Sequence, residues 1–473
     1  MSKIKNKIKV KAFLNEAGSQ IANEKITPKT KLSTLDLIKE TIGNEAAQAF
    51  VKIFRSTSCF KKIFWVTCLI AACSLSAFFV IQSLITFVTY EVSTNTRTIF
   101  EMTSLFPRIT YCNKNPFNTK YSFESLEKIG NYNDMLYAMN YVLNDSEKLR
   151  LQHPFDKVLV ECNFNNEKCT INDFLREFDS NLGNCYSFNA GFNSSKHSVS
   201  LRESVRAGST YGLKLTLYVN FYENLTKYNQ YVGAVIKIGN SSYSTINFGP
   251  EISPGYKTNL IVSRVFEEVL PKPYSQCDIP NDASYQISSD LYDRIRASEY
   301  EYTQQICYNA CVHKKLVERC NCVRPNEQTF FPEAKVCSLK DACLKNFTSA
   351  FFNYRENCFE WCPLQCNRSQ YLTTLSVIPL SIDFSSTVKG NFASDFITRP
   401  INFENAKNSI ARIYIFYDSL SYIKSVEQAR SGSVLELAAN IGGILGLFLG
   451  VSLLSFFELI EVLIGLCCIS HLK

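Results

Sequence analysis

Histidine is scarce in this chain: its 473 residues include only four. Few side chains therefore titrate near neutral pH or offer the imidazole nitrogen that a zinc site commonly uses. No nucleophile–base pair and no phosphate-binding loop stands out, so we expect no enzyme and no bound cofactor or metal. The lysine-rich start of the chain has no apolar segment directly behind it. This argues against a cleaved signal peptide and predicts a solvated or lipid-facing tail rather than a nucleic-acid-binding arm.

Two long hydrophobic runs dominate the sequence. The first occupies residues 64–88 and contains no Asp, Glu, Lys or Arg, and the second occupies residues 434–466. Each is long enough to cross a bilayer as a helix, which takes roughly 20 apolar residues. We therefore predict five segments: a cytoplasmic tail at 1–62, a transmembrane helix at 63–89, an extracellular Cys-rich domain at 90–430, a second transmembrane helix at 431–466 and a cytoplasmic tail at 467–473.

Charge, glycosylation sequons and cysteines agree on which segment faces outward. Basic residues close to the first run are typical of the cytoplasmic side of a plasma-membrane protein; they are Lys52, Arg55, Lys61 and Lys62. The sequons for N-glycosylation all lie between the runs, at Asn144, Asn193, Asn224, Asn240, Asn346 and Asn367. Fourteen of the nineteen cysteines lie there as well, and this even number indicates disulfides formed in an oxidising compartment.

The cysteines show a helical spacing. Cys307 and Cys311 are four residues apart, and Cys358, Cys362 and Cys366 repeat that interval. Residues so spaced share one face of a helix, so two antiparallel helices would pair them as a ladder. The rungs would be Cys311–Cys358, Cys307–Cys362 and Cys277–Cys366, with Cys320, Cys322, Cys337 and Cys343 closing the turn. The competing interpretation is a zinc site at Cys320 and Cys322, which is disfavoured because His313 is the one histidine nearby.

Strand-like segments make up much of the remaining region between the runs. Alternating, β-branched and aromatic sequences occur at 108–112, 212–222, 231–239 and 411–424. The first of these follows the first hydrophobic run and the last leads into the second. We therefore expect strands attached to both runs to lie together in one sheet above the membrane.

The second hydrophobic run is too polar and too rich in glycine for a simple anchor. Gly442, Gly446 and Gly450 recur at intervals of four, which is compatible with close packing between transmembrane helices. That packing does not explain Asn440, Ser452, Ser455, Glu458 and Glu461, because ionisable groups in a membrane normally face water or a partner. We favour a cation pore lined by this helix, with a break at Gly450, Val451 and Ser452 and with Glu458 and Glu461 concentrating cations. A subunit with two spans cannot enclose such a path alone, so an oligomer is implied.

Several motifs resemble those of the epithelial sodium channel/degenerin family, which includes acid-sensing and peptide-gated sodium channels. They are FPRITYCN at 106–113, CYSFN at 185–189, the thumb-domain spacing of Cys307, Cys311, Cys320 and Cys322, CPLQC at 362–366, IGG at 441–443, GVS at 450–452 and EL at 458–459. The resemblance covers nearly the whole chain. It implies an α+β trimer, homomeric or heteromeric, with two transmembrane helices per subunit. Each large disulfide-rich extracellular domain would have palm, thumb, finger, knuckle and β-ball parts.

The resemblance also implies roles for particular residues. Four disulfides are added to the ladder: Cys112–Cys185, Cys162–Cys169, Cys320–Cys343 and Cys322–Cys337. The selectivity filter would be Gly450, Val451 and Ser452. Pore and gate residues would be Ala439 (at the degenerin position), Asn440, Gly442, Gly443, Gly446, Glu458 and Glu461. Tyr90 and Tyr274 would couple the thumb to the pore, although ordinary interfacial aromatics are an alternative interpretation.

The function implied is a sodium-selective, amiloride-sensitive-type channel opened by an extracellular ligand such as a neuropeptide. The His-Gly motif that affects gating in many relatives is not evident before the first run. Acid-sensing members carry His and Asp where this chain has Glu91-Val92 and Lys345, which disfavours proton gating. Mechanical gating and constitutive opening remain alternatives to a ligand. An ATP-gated trimer shares the two-span plan but not these motifs, and a non-conducting two-span receptor would not need the acidic second run.

Overall fold

The computed structural model describes residues 58–117, 119–153, 155–195, 197–219, 231–240, 249–278, 290–298, 300–325, 327, 329–347, 358–381, 407–430 and 432–450. The chain divides into two compact units. One comprises Met1–Glu91 and Arg430–Lys473, and the other comprises Val92–Ala429. The five-segment division expected from the sequence remains a prediction.

Within the described ranges the helices are α1 (Cys59–Val88), α2 (Thr119–Ile129), α3 (Tyr132–Tyr141), α4 (Asp145–Leu151), α5 (Phe155–Val158), α6 (Asp290–Arg296), α7 (Gln304–Cys320), α8 (Ala342–Asn346) and α9 (Val434–Leu449). The strands are β1 (Val92–Phe100), β2 (Ser104–Leu105), β3 (Arg108–Asn113), β4 (Leu159–Phe164), β5 (Glu167–Lys168), β6 (Phe174–Asp179), β7 (Gly183–Phe188), β8 (Glu203–Ser204), β9 (Leu213–Tyr218), β10 (Ala234–Gly239), β11 (Glu251–Ile252), β12 (Tyr256–Glu268), β13 (Cys277–Asp278), β14 (Cys322–Val323), β15 (Lys335–Val336), β16 (Leu364–Gln365), β17 (Asn367–Pro379) and β18 (Ile410–Ala429). Short 3₁₀ turns occur at Ile171–Asp173 and Phe359–Trp361.

The unit Val92–Ala429 is built around two sheets. The larger has the order β17-β12-β18-β9-β4-β5, with β1 added along β18, and the smaller has the order β11-β10-β3-β7-β6. The strand β12 runs parallel to β18, and its other neighbour β17 is antiparallel. Apolar residues from both sheets form one core, in which the rings of Phe106 and Phe164 meet edge to face with centroids 4.9 Å apart. Burial of these large rings is the main force that holds the sheets together.

The strand segments expected from the sequence correspond to β3, β9, β10 and β18, but one expected partnership is wrong. The strand that follows the first hydrophobic run in sequence and pairs with β18 is β1, with Val92 opposite Ala429 and Phe100 opposite Ser421. The expected partner, 108–112, lies in β3 and pairs with β7 and β10 in the other sheet. Every residue of β3 is buried, as a central strand between two neighbours requires.

The cysteine ladder differs from the expected pair of helices. One side is the helix α7, which Thr303 caps by accepting a hydrogen bond from the Ile306 amide and which ends at Asn321 in the left-handed conformation. On the other side, Cys358 and Cys362 flank a single 3₁₀ turn, and Cys366 follows the strand β16. Pro363 disfavours helical geometry at Cys362, whose φ and ψ are −122° and 74°. The prediction of a second helix over Cys358–Cys366 is therefore wrong.

Candidate functional site

The helix α1 forms most of the described part of the unit that contains both termini. It has 30 residues and is the one helix, among the residues described, that is long and apolar enough to cross a membrane. Ser76 is its only residue buried by the protein itself. Many of its large apolar side chains, including Phe78 and Ile81, are exposed. Such a surface requires lipid or further helices around it.

The second hydrophobic run begins with α9, which has 16 residues in the structure. Ser433 caps its first turn by accepting a hydrogen bond from the Glu436 amide at 3.1 Å, and the Glu436 carboxylate accepts from the Gly432 amide at 2.9 Å. These reciprocal contacts satisfy amides that would otherwise lack partners at the start of a helix. Phe448, near the other end, stacks on Phe79 of α1 with ring centroids 5.7 Å apart.

The helix α9 ends at Gly450. This glycine has φ +69° and ψ 17°, and its amide donates to the Gly446 carbonyl at 3.1 Å. That left-handed geometry suits glycine because it has no Cβ. The left-handed residue that terminates α9 is thus the first residue of the GVS motif. Val451 and Ser452, together with Glu458 and Glu461, lie outside the described residues.

Five of the predicted pore and gate residues lie on α9. All of them are exposed with respect to their own chain, and they are Ala439, Asn440, Gly442, Gly443 and Gly446. A Cβ built on Gly442 or Gly443 meets nothing within 4 Å. Packing against the described residues therefore does not require either glycine. Their roles in a pore stay predictions.

Tyr90 and Tyr274 fall in different units. Tyr90 follows the end of α1 with φ 52°, a left-handed conformation that is uncommon for a residue with a side chain. Next to it, Glu91 accepts a hydrogen bond on its carbonyl from the Arg430 amide at 2.9 Å, and its carboxylate contacts the Arg430 guanidinium at 2.7 Å. Tyr274 is half-buried, and its amide donates to the Pro271 carbonyl at 3.0 Å. The coupling role of the two tyrosines stays a prediction.

The structure contains seven disulfides: Cys112–Cys185, Cys162–Cys169, Cys277–Cys366, Cys307–Cys362, Cys311–Cys358, Cys320–Cys343 and Cys322–Cys337. These are the pairs that the spacing and the resemblance predict. Cys307 and Cys311 are fully buried on α7, where they pack with Leu291 and Ile295 of α6. The cross-links limit how far this region can unfold locally, since each restricts the unfolded chain.

The sequons differ in their exposure. Asn144, Asn346 and Asn367 are exposed, whereas Asn193 and Asn240 are partly covered. Asn224 lies outside the described residues. Asn144 also caps α4, accepting a hydrogen bond from the Glu147 amide at 2.9 Å through its side-chain oxygen. Because the cap uses that oxygen, the side-chain nitrogen is available for glycosylation.

A buried arginine is the main polar feature that the sequence did not indicate. Arg264, on β12, has a side chain 7% exposed, and its guanidinium contacts the Glu101 carboxylate at 2.5 Å and the Ser104 hydroxyl at 2.9 Å. It also lies 5.0 Å from the ring centroid of Tyr417 and 5.4 Å from that of Tyr422, both on β18. An arginine between aromatic faces gains cation–π attraction in addition to its ion pair.

This cluster, formed by Glu101, Ser104, Arg264, Tyr417 and Tyr422, coincides with an irregularity between β12 and β18. Burial would raise the pKa of Glu101, but hydrogen bonds from Arg264 and Ser104 and the arginine charge outweigh it and lower that pKa. The register passes from Val262 opposite Tyr417 to Arg264 opposite Tyr422. The Glu101 amide also donates to the Leu420 carbonyl within the skipped stretch. The cluster thus ties the end of β1 to the irregular part of β18.

The three described histidines differ in their surroundings. Burial lowers the pKa of His153 to about 4, so this imidazole is neutral near pH 7. His313 is buried, and its Nε2 lies 2.8 Å from the Glu327 carboxylate. Burial would raise the pKa of Glu327, but hydrogen bonds from His313 and Arg324 and their charges lower it. His197 is exposed.

Comparison with known proteins identifies the family. The model of the amiloride-sensitive sodium channel family matches residues 44–462. Epithelial sodium channel subunit gamma of Neoceratodus forsteri is 28% identical over 348 residues, which cover 69% of this chain and 49% of that protein. The gamma subunit of Homo sapiens is 28% identical over 331 residues, covering 67% and 48%. This chain therefore spans about half the length of the curated relatives it matches.

A solved proton-activated chloride channel aligns over 85% of this chain and 98% of its own, with a TM-score of 0.32 and 7% identity. Similarity at that level carries no argument about fold or function. The family model, by contrast, covers the first hydrophobic run, the cysteine-rich segment and nearly all of the second run. The resemblance inferred from the motifs is confirmed, and the chain belongs to the amiloride-sensitive sodium channel family.

Proposed function

We propose that this chain is a pore-forming subunit of a sodium-selective, amiloride-sensitive-type channel in the plasma membrane. Family membership over residues 44–462 is the observation that carries the proposal. A channel passes ions down their gradient and needs no cofactor, since sodium is the transported ion.

The pore would be lined by the second hydrophobic run. Support comes from α9, where five of the predicted pore and gate residues are not covered by their own chain, and from the left-handed Gly450 that terminates it. An ion that loses water in a narrow filter needs oxygen ligands, which a chain leaving helical geometry at Gly450 can offer through backbone carbonyls and the Ser452 hydroxyl. Glu458 and Glu461 would then attract cations from the cytoplasmic side.

The proposed assembly is a trimer. The apolar surface that α1 and α9 leave exposed favours contact with other subunits or lipid. The matched relatives are each named as the gamma subunit of an epithelial sodium channel, which makes a heterotrimer with related chains as reasonable as a homotrimer. Expression alone and together with related subunits distinguishes these assemblies.

The stimulus we propose is an extracellular ligand such as a small neuropeptide. Proton gating is disfavoured because the chain has Glu91-Val92 and Lys345 where acid-sensing members of the family carry His and Asp. Mechanical or constitutive opening would be recognised by current that needs no added ligand.

Whole-cell recording tests the proposal. Cells expressing the chain, with and without related subunits, are exposed to a panel of peptides, to acid and to stretch, and amiloride is then applied. We expect a sodium current that amiloride reduces. Surface protein that never conducts under any of these conditions would support the two-span receptor instead.

The filter assignment has its own test. Replacing Ser452 with alanine should shift the reversal potential measured with sodium outside and potassium inside, because the hydroxyl would no longer replace water around the ion. Ser470→Ala, in the predicted cytoplasmic tail at 467–473, is the matched control. Equal reversal potentials for Ser452→Ala and the unmodified channel would contradict the filter role.

A further inference from the structure

A cavity of about 280 Å³ lies beside the smaller sheet of the cysteine-rich unit. Its lining includes Phe155 at the start of α5, Phe174 and Arg176 on β6, and Tyr186 on β7. His153 also contributes to the lining. None of the residues that line it belongs to α1 or α9 or is assigned to the pore.

The walls of the cavity are aromatic and held in place. The rings of Phe155 and Phe174 have centroids 4.9 Å apart, and those of Phe155 and Tyr186 are 4.6 Å apart. Phe174 and Tyr186 are almost fully buried in the core between the sheets. Rings fixed in this way present a preformed apolar surface that suits a flat aromatic ligand.

Arg176 places a positive charge at this cavity. Its Nε donates to the Asn184 side-chain oxygen at 2.9 Å, and its amide donates to the Ser194 hydroxyl at 3.1 Å, which fix its position. Among the described residues, no carboxylate pairs with it. Other basic side chains of the smaller sheet are paired: Arg108 with Glu177 and Lys237 with Asp179. The terminal nitrogens of Arg176 can therefore receive an anion, and guanidinium binds carboxylate with particular strength.

His153 supplies a hydrogen-bond acceptor. Its Nε2 is buried and has no partner within the part of the chain described, while the ring hydrogen-bonds to the Phe117 backbone. With the imidazole neutral and its proton donated to that backbone carbonyl, Nε2 keeps a free lone pair. An unsatisfied buried acceptor is unfavourable, so a ligand that donates to it gains affinity.

We propose that this cavity binds a small aromatic carboxylate that also carries a hydrogen-bond donor on its ring. The ring would pack against the cluster formed by Phe155, Phe174 and Tyr186, the carboxylate would pair with Arg176, and the ring donor would reach His153. The volume supports a small molecule, since it falls just below the roughly 300 Å³ at which sites for drug-sized ligands begin. The site is independent of the proposed pore.

The test measures binding to the full chain purified in lipid nanodiscs, with para-hydroxyphenylacetate as the probe and isothermal titration calorimetry as the readout. Phenylacetate lacks the ring donor, and para-cresol lacks the carboxylate. We expect saturable binding of para-hydroxyphenylacetate and at least tenfold weaker binding of the other two. Because binding is read without current, a failed channel assay leaves this result unaffected.

Arg176→Met should weaken binding of the probe at least tenfold, whereas Arg319→Met, at an exposed arginine on α7, should leave it unchanged. His153→Phe should remove the advantage of para-hydroxyphenylacetate over phenylacetate. Arg176 is exposed, so its replacement is not expected to prevent folding, and thermal denaturation of each variant checks this. No saturable binding of the probe, or equal affinity in Arg176→Met and the unmodified chain, would overturn the proposal.

Discussion

The ion pair between Arg264 and Glu101 should respond unequally to loss of its two members. The Arg264 side chain is 7% exposed, whereas that of Glu101 is 31% exposed. Glu101→Leu leaves a guanidinium buried without its counter-charge, a loss that typically costs about 3–5 kcal/mol. Arg264→Met leaves a carboxylate that can still reach water and the Ser104 hydroxyl. We expect the arginine replacement to cost about 1–3 kcal/mol, from the lost hydrogen bonds and cation–π contacts.

The double replacement provides the sharper measurement. Arg264→Met combined with Glu101→Leu removes both charges, so it should be less destabilising than Glu101→Leu alone. Thermal unfolding of the full chain in detergent gives the order of the four proteins. A change of 1 kcal/mol moves the midpoint by about 2–4 °C for 150–250 residues and by less in a larger unit. We therefore expect a fall of several degrees for Glu101→Leu.

Two results would refute this reasoning. One is a greater loss for Arg264→Met than for Glu101→Leu, which would mean that packing of the arginine, and not its charge, dominates. The other is strict additivity in the double replacement, which would mean that the two side chains do not interact. Ser419→Ala, at an exposed serine in the irregular stretch of β18, serves as the control and should change the midpoint little.

Three further predictions concern other parts of the chain. Ala439→Trp should give a large standing current in whole-cell recording. Ala438→Trp, at the neighbouring position on a different face of α9, is the control and should not. An Ala439→Trp channel that reaches the cell surface but carries no current would contradict the gate assignment. Replacing Cys307 and Cys362 together by serine should destabilise the unit by about 2–3 kcal/mol, because with Cys311–Cys358 intact the bond closes only a short additional loop. An unchanged thermal midpoint would argue against a stabilising role. The pKa of Glu101 is lowered in the folded protein, so the ionised carboxylate stabilises the fold at pH values above its ordinary pKa of 4.5, and this stabilisation is lost as the pH falls through the lowered pKa. The difference in thermal midpoint between the unmodified chain and Glu101→Gln should therefore shrink only in that acid range. A difference that stays constant with pH would contradict the prediction.

The sequence allowed prediction of features that depend on local pattern. Length and apolarity were enough for α1, because a run without charges has few alternatives to a membrane helix. The strand β18 could be recognised from its alternating aromatic and β-branched residues. By contrast, β1 was not anticipated: its Val, Thr, Ile and Phe residues favour a strand, but it is mostly exposed, and its place in the sheet depends on β18 as a ladder of backbone partners. That dependence cannot be seen within residues 92–100 themselves.

The cysteine pattern shows both the strength and the limit of spacing arguments. The intervals of four correctly predicted which cysteines pair, since the disulfides depend on the order of the partners along two facing segments. They wrongly predicted the conformation of 358–366, where Pro363 ends the turn and β13 pairs with β16. The polar cluster was missed for another reason: Glu101 and Arg264 are 163 residues apart, and only the folded sheet brings them together.

The end of α9 at Leu449 has an electrical consequence. Aligned peptide dipoles give the carboxyl end of a helix a partial negative charge of roughly half an electron. In this chain that end is followed immediately by Gly450, the first residue of the proposed filter. Before any carboxylate is considered, the backbone itself would favour positive ions there over chloride. Three such ends converging in a trimer would make cation preference partly a property of helix termination.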